Sequence, residues 1–518
     1  MQVVDGTGSA TATVSVEQTA PKTNDLDIQH TVAAPVPRPT TTVKAWVRGS
    51  NGSLLIPEVD DPQFLVPGLS AKAPVAVCIS GGGFRATALA LGWLRGLHHM
   101  GLLDKVRYLS TISGSSWMGA ALCFQKDAAA VKDFLGTYLP PEQCTPEALQ
   151  NVGVTGKSYA KAVADAQPLC RIIQGWITSN WKEQAQILTG QIKPPHEVAG
   201  IWTSAIAHAF LEPFGLHDVN TSTVRVPGTK IATEVADRAA KVGRAGNIYD
   251  ANVKDLPFLI IGQAVILPKA DIKFYPFEWT PLYGGCPVPY KDVTPKLGAG
   301  WVETLGLNAE LVTKQDDTAT GETKVEVRPM GPASLGEATG ISSAYHSTKF
   351  VDFIPDIMDN FQSLLGFHKA QYFDMQDWNT QDVLLTDGGA YDLYGIYPAL
   401  RRRVPNIMVF NCNGLSFKTM ADFSSDKDLP GLFGCCSDEE NKQRQVFQSA
   451  GFDKLFNAIQ KKMKAGEAPI HVEQYQVLAN DHLDIKGGWE VRIMWIMNER
   501  MKKWETQLPD ATRSMIPD

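Results

Sequence analysis

The sequence predicts an α/β fold: a mainly parallel central sheet with helices on both faces and a helical cap inserted between two of its strands. Three observations predict it. Short apolar, β-branched runs end in turns rich in glycine or serine. Helical periodicity resumes directly after the first two of those turns. Residues 125–255 then read as mostly helical or irregular before the next such run begins. Strand, short turn and helix in succession build parallel sheets, because each crossover brings the next strand back in the same direction.

Each element has its own signal. Val75-Ala76-Val77-Cys78-Ile79 is a strand buried on both faces. Ser80-Gly81-Gly82-Gly83 ends it, and Ala86, Leu89, Ala90, Trp93, Leu94 and Leu97 recur at helical spacing until Gly101. Val106–Ile112 is the second strand, running through Ser113-Gly114-Ser115-Ser116 into a small-residue helix that reaches Phe124. Leu256–Ile261, Val383–Thr386 and Asn406–Phe410 are further buried strands. Near the end, Ile493, Met497, Met501, Trp504 and Leu508 predict a packing helix. Residues 1–44, rich in Thr, Ala, Val and Pro, predict a flexible leader. Residues 45–518 then form one catalytic domain, with the cap at about 140–250 holding Trp176, Trp181 and Trp202 as lid or core aromatics.

Composition narrows the function. The chain has 518 residues, 44% hydrophobic and 20% charged, with a formal net charge of -7. That balance carries no basic patch and excludes nucleic acid as a partner. Arg401-Arg402-Arg403 reads as a solvated helix end. The eight cysteines form no CxxC pair, so neither metal nor redox cofactor is expected. No apolar run approaches a spanning helix and the start lacks a signal-peptide pattern, so a cytoplasmic protein is expected.

In open parallel sheets, sites form at the carboxyl ends of strands. Three such ends carry chemistry here. Ser113, in a tight strand-to-helix turn, is the candidate nucleophile; Ser115 and Ser116 are rivals. Gly82 and Gly83 would expose backbone N–H groups at a helix start, where a developing oxyanion could sit, with Arg85 at the mouth. Asp387, followed by Gly388 and Gly389, is the candidate base, since a serine hydroxyl needs a proton acceptor.

Together these motifs resemble the catalytic core of the cytosolic phospholipase A2 and lysophospholipase B family, relatives of the patatin-like lipases. The family's Ser-Gly-Gly-Gly-x-Arg-Ala stands at Ser80–Ala86. Its Gly-Leu-Ser-Gly-Ser-x-Trp stands at Thr111–Trp117, with Thr111 where the family has glycine. Its Asp-Gly pair matches Asp387-Gly388, while Phe277–Pro281 and Gly340–Ala344 are similar to two further segments. The resemblance implies a patatin/cytosolic phospholipase A2-like fold and a phospholipase A2 or lysophospholipase activity. It implies that Ser113 and Asp387 form a catalytic dyad, Gly82 and Gly83 an oxyanion hole, and Arg85 a contact to the substrate phosphate. No cofactor or metal is implied; a phospholipid or lysophospholipid substrate and a peripheral membrane surface are. Three other readings stay open. In one, His482 completes a Ser-Asp-His esterase triad. In another, the protein keeps the fold as a non-catalytic lipid binder. The last is a dinucleotide site at Gly81, Gly83 and Ala86, weakened because the next strand ends without an acidic residue.

Overall fold

The computed structural model describes residues 38–153, 158–166, 200–267, 273–294, 296–317, 322–345, 368–412, 428–436 and 439–516. The chain from Arg38 on forms one compact unit. Its strands begin with β1 (Thr41–Val47), β2 (Ala73–Ile79) and β3 (Val106–Ile112). A detached parallel pair, β4 (Thr223–Arg225) and β5 (Ile248–Asp250), precedes β6 (Phe258–Ile266). Then come β7 (Phe274–Trp279), β8 (Tyr283–Gly285), β9 (Gly300–Glu303), β10 (Ala309–Asp317) and β11 (Glu322–Pro329). β12 (His368–Phe373), β13 (Thr380–Asp387), β14 (Asn406–Asn411), β15 (Ile470–Val477) and β16 (Trp489–Met497) complete the set. All but β4 and β5 join one sheet in the order β10-β11-β1-β9-β8-β7-β6-β3-β2-β14-β16-β15, with β13 pairing both β6 and β12.

The sheet is mixed rather than mainly parallel. Parallel pairing is confined to β16–β14, β14–β2, β2–β3 and β3–β6. The remaining pairs of this sheet are antiparallel. Connection length is the reason. Strands joined by a few residues, such as β7 to β8, can only turn back on themselves, whereas parallel neighbours need a long crossover such as the helix Gly83–His99 between β2 and β3. β6 is buried at every position, consistent with its place deep in the sheet.

One consequence of the mixed sheet positions the site. β7 occupies one edge of β6 along Ile261–Ile266. The other edge is divided. β3 pairs with Phe258–Gly262 in parallel, and β13 pairs with Gln263–Ile266 antiparallel. β3 and β13 therefore approach along the same edge from opposite ends, and their carboxyl termini meet at Gly262 and Gln263. The two glycines at this junction leave room for it. A Cβ on Gly262 would lie 2.2 Å from Ile112 Cδ1, and one on Gly388 would lie 2.3 Å from the Gly262 carbonyl oxygen.

Other expectations need correction. Thr41–Lys44, assigned to the leader, form the first part of β1 and pair with β11; residues 1–37 lie outside the described residues. The region expected to be a helical cap does contain helices, among them Pro146–Gly153, Tyr159–Asp165, Ile201–Ile206 and Ala232–Lys241, but also the β4–β5 pair. Trp176 and Trp181 lie outside the described residues. Trp202 is half-buried and donates its indole N–H to the Gly340 carbonyl, so it packs on the helix Leu335–Ser342. Ile493 and Met497 belong to a strand, not a helix: Val491, Ile493, Trp495 and Met497 alternate into the core at the two-residue period.

Arg401 and Arg402 are not solvated. Arg402 Nε donates to Glu58 Oε1 at 3.0 Å and its Nη1 to Glu278 Oε2 at 3.0 Å. Arg401 Nε donates to Glu278 Oε1 at 2.9 Å, and Tyr283 OH to Glu58 Oε2 at 2.6 Å. Burial alone would raise the Glu278 carboxyl, yet the two guanidinium groups hold it below its ordinary range. The network ties Glu58, in the short helix Pro57–Asp60, to β7 and to the end of the helix Tyr397–Arg401. Replacing Arg402 with Met leaves the buried Glu58 carboxylate without its guanidinium partner and is expected to cost about 3–5 kcal/mol, read as a lowered urea midpoint.

Candidate active site

The turn after β3 is built around Ser113. Its backbone sits at φ 58°, ψ -130°, which a non-glycine residue adopts only when its surroundings impose it. Several hydroxyl groups impose it. The Ser113 N–H donates to Ser342 Oγ at 3.0 Å, and Ser342 Oγ donates to the Gly262 carbonyl at 2.6 Å. Ser115 Oγ accepts the Ile112 N–H at 2.9 Å and lies 2.8 Å from the Ile79 carbonyl. Ser116 Oγ is 3.0 Å from Ser342 Oγ. The rival serines are thus committed to the scaffold. Ser342 was not singled out as a site residue; its signal was its place in the Gly340–Ala344 segment.

Thr111 fits this turn because Gly119 makes space for it. Thr111 is fully buried, and a Cβ on Gly119 would approach its Cγ2 to 2.8 Å and Leu259 Cδ1 to 3.2 Å. One turn into the following helix, the missing side chain receives the extra bulk on the strand.

The Ser113 hydroxyl donates to Asp387 Oδ2 at 2.8 Å, across a separation of 274 residues. The other carboxyl oxygen, Oδ1, accepts the Gly389 N–H at 2.7 Å. Burial without a neighbouring cation pushes the Asp387 pKa up to about 7, against the opposing pull of the Gly389 N–H and the Ser113 hydroxyl. His482 hydrogen-bonds to neither residue. Its carbonyl accepts the Tyr290 hydroxyl at 2.8 Å, and its ring packs against Tyr290 and Tyr391, where burial lowers its pKa to about 4.

The glycine turn after β2 lies against the Ser113 turn. A Cβ on Gly81 would stand 3.1 Å from Ser113 Cβ, and one on Gly114 would stand 2.1 Å from the Gly83 carbonyl oxygen. Gly82 (φ 146°) and Gly83 (φ 59°) take backbone conformations open to glycine. The Gly81 N–H is spent on the Leu393 carbonyl at 3.1 Å, whereas no acceptor among the described residues takes the N–H of Gly82 or Gly83. Both stand at the start of the helix Gly83–His99, whose dipole favours negative charge. Arg85 is exposed, and its Nε donates to the Cys412 carbonyl at 2.6 Å, which holds the guanidinium beside the turn. Among the described residues no group of three or more His, Cys, Asp or Glu is arranged to hold a metal ion.

Fold and site define a mixed α/β protein with a buried serine–aspartate pair facing a glycine turn. No family model matches the chain. Cytosolic phospholipase A2 zeta of Mus musculus is 60% identical over 43 residues, 8% of this chain and 5% of that protein. Cytosolic phospholipase A2 zeta of Homo sapiens is 55% identical over 49 residues, 9% of this chain and 6% of that protein. Cytosolic phospholipase A2 gamma of Mus musculus is 52% identical over 52 residues, 10% and 9% of the two chains. The matched segment spans less than a tenth of each of these relatives. Among solved structures, human GIVD cytosolic phospholipase A2 is similar with a TM-score of 0.36 and 14% identity, over 68% of this chain and 47% of that one. The resemblance to cytosolic phospholipase A2 proteins is carried in sequence by this short segment of the chain.

The Thr111–Gly119 contact makes a paired test. Gly119→Ala alone should destabilise the protein by about 1–3 kcal/mol through overpacking, and Thr111→Gly in the same chain should recover much of that loss. Thermal unfolding of the two single variants and the double variant measures the coupling.

Proposed function

We propose that this protein is a serine lipid acyl hydrolase of the phospholipase A2 or lysophospholipase type, acting through a Ser113–Asp387 dyad. The observation that carries the reading is the 2.8 Å hydrogen bond from Ser113 to a buried aspartate, in a strained turn beside unpartnered N–H donors. Asp387 accepts the Ser113 proton as Oγ attacks the ester carbonyl carbon. The Gly82 and Gly83 N–H groups receive the charge that develops on the carbonyl oxygen. The C–O bond then breaks, Asp387 returns the proton to the departing alkoxide, and a lysophospholipid or glycerophospho alcohol leaves. Water, deprotonated by Asp387, attacks the acyl-serine, and the proton passes back to Ser113 as the fatty acid departs. A base whose pKa is near 7 suits both halves, since it must take up and release the same proton.

Arg85, exposed next to the glycine turn, suits contact with the substrate phosphate. A phospholipid substrate implies that the protein works at a membrane surface, as a peripheral rather than a spanning protein, in the cytoplasm. No helix among the described residues is long and apolar enough to cross a membrane. The triad alternative is disfavoured, because the Asp387 carboxyl is occupied by Ser113 and Gly389 and His482 faces elsewhere.

A fluorophosphonate probe should label the native chain and fail on Ser113→Ala; absence of labelling and of lipid cleavage would leave the non-catalytic binder. Asp387→Asn should lower kcat/KM on phosphatidylcholine or lysophospholipid by about a thousand-fold, while His482→Ala keeps most activity. Since the base must be ionised, kcat/KM should rise through a pH of about 7 and level off above it. The stability term has the opposite sign. With its folded pKa raised above the ordinary 3.8, Asp387 favours the fold at low pH, and that contribution is lost as pH rises through about 7. Asp387→Asn should therefore unfold less readily than the native chain at pH 8.

A further inference from the structure

The face of the sheet that carries Asp387 continues into a pocket. Residues paired across neighbouring strands point to the same side, and alternate residues along a strand share it. Asp387, Leu385 and Val383 of β13 thus face the same way as Gln263 of β6 and Phe277 of β7. The helix Leu335–Ser342 covers this surface, with Gln263 Nε2 donating to the Ala338 carbonyl at 2.9 Å. That same helix ends in Ser342, which accepts the Ser113 N–H. The space under this helix is walled by Gln263, the residue paired with Asp387, and by Leu385, about 7 Å along the strand from Asp387.

The pocket is narrow, with about 500 Å³ of atom-free space counted with its mouth. Such a slot suits a single chain and not a headgroup. Most of its wall is apolar, including Phe277, Val302, Leu307 and Ile341. Its polar groups are the anomaly. Glu337, Gln263 and Trp279 also line it, each only 2–3% exposed. Oε2 of Glu337, Oε1 of Gln263 and Nε1 of Trp279 have no hydrogen-bond partner among the described residues. His368 Nδ1 stands 3.1 Å from Glu337 Oε1, the distance of an ion pair were both charged. Burial pushes the Glu337 carboxyl well up, against the attraction of Arg244, and pushes His368 down to about 4. A slot meant only for hydrocarbon would gain stability from apolar residues at these positions, since buried polar atoms without partners destabilise a fold.

We propose that this slot takes the acyl chain of the substrate and that Glu337 and Gln263 bind a hydroxyl or similar oxygen-bearing group in mid-chain, so that oxygenated acyl chains are preferred. This rests on the acyl-hydrolase reading of Ser113. The hydroxyl donates to Gln263 Oε1 or to Glu337 Oε2 and accepts from the Trp279 indole N–H. Glu337 precedes Ser342 by five residues, about 7.5 Å along the helix, which places the polar group away from the ester. A site built to hydrogen-bond a substrate hydroxyl discriminates against the analogue that lacks it.

Binding separates this inference from the reading beneath it. A mid-chain hydroxy fatty acid and its unsubstituted counterpart are titrated into Ser113→Ala by calorimetry, which needs no turnover. The hydroxy acid should bind about ten-fold more tightly, the effect of one net hydrogen bond. Glu337→Leu should erase that ratio, and the isosteric Glu337→Gln should keep most of it. Should Glu337→Leu not fold, Gln263→Leu takes its place with the same expectation. Equal binding of the two acids, or a ratio unchanged in a folded Leu variant, overturns the proposal. Fluorophosphonate labelling of the native chain reports separately on Ser113. Labelling without chain preference sinks the slot alone, and a preference without labelling sinks the hydrolase reading, leaving an oxygenated-lipid binder.

Discussion

A single strand edge organises this protein. β6 offers one free edge beyond β7, and two strands arriving from opposite directions divide it. Neither β3 nor β13 can extend without colliding with the other, so both chains must leave the sheet at the same level. Ser113 and Asp387 are the residues at which they leave. Backbone pairing, which is insensitive to side-chain identity, thereby brings together two residues 274 positions apart. The glycines at the junction, Gly262 and Gly388, are the condition that lets the ends approach.

The electrostatics follow from what each buried carboxyl meets. Glu278 and Asp387 are both almost fully buried and both lie on strands touching β6. Glu278 sits between Arg401 and Arg402 and stays ionised, joining parts of the chain far apart in sequence. Asp387 meets no cation, only one hydroxyl and one N–H, and is held near neutrality. Desolvation acts on both; the presence of a counter-charge decides which way each shifts. An ion-paired carboxylate and one held near neutrality thus arise from similar burial.

Largely buried strands were legible because a continuous apolar run has little other use: Val106–Ile112 appears with the expected bounds, and Asn406–Phe410 falls short of β14 by one residue. Glycine-bracketed turns were legible because glycine marks close approach. Patterns with two interpretations failed. Ile493, Met497 and Met501 satisfy a four-residue step, but the strand periodicity through Val491, Ile493 and Trp495 is the one the core uses. Three successive arginines suggested solvent, since nothing local announces that Glu58 and Glu278 lie ready to receive two of them. Ser342 escaped notice for the same reason: its work is done on a partner 229 residues away.

The sequence alone determined the glycine- and serine-rich turns at the strand ends and an α/β architecture, because residue type, local spacing and hydrophobic period are properties of short segments. The tertiary structure decided strand direction, the shared edge of β6, the role of Gly119 in accommodating Thr111 and the charge state of each buried carboxyl. Those depend on which segments become neighbours, and a chain's order constrains its pairings too weakly to say how a sheet closes around them.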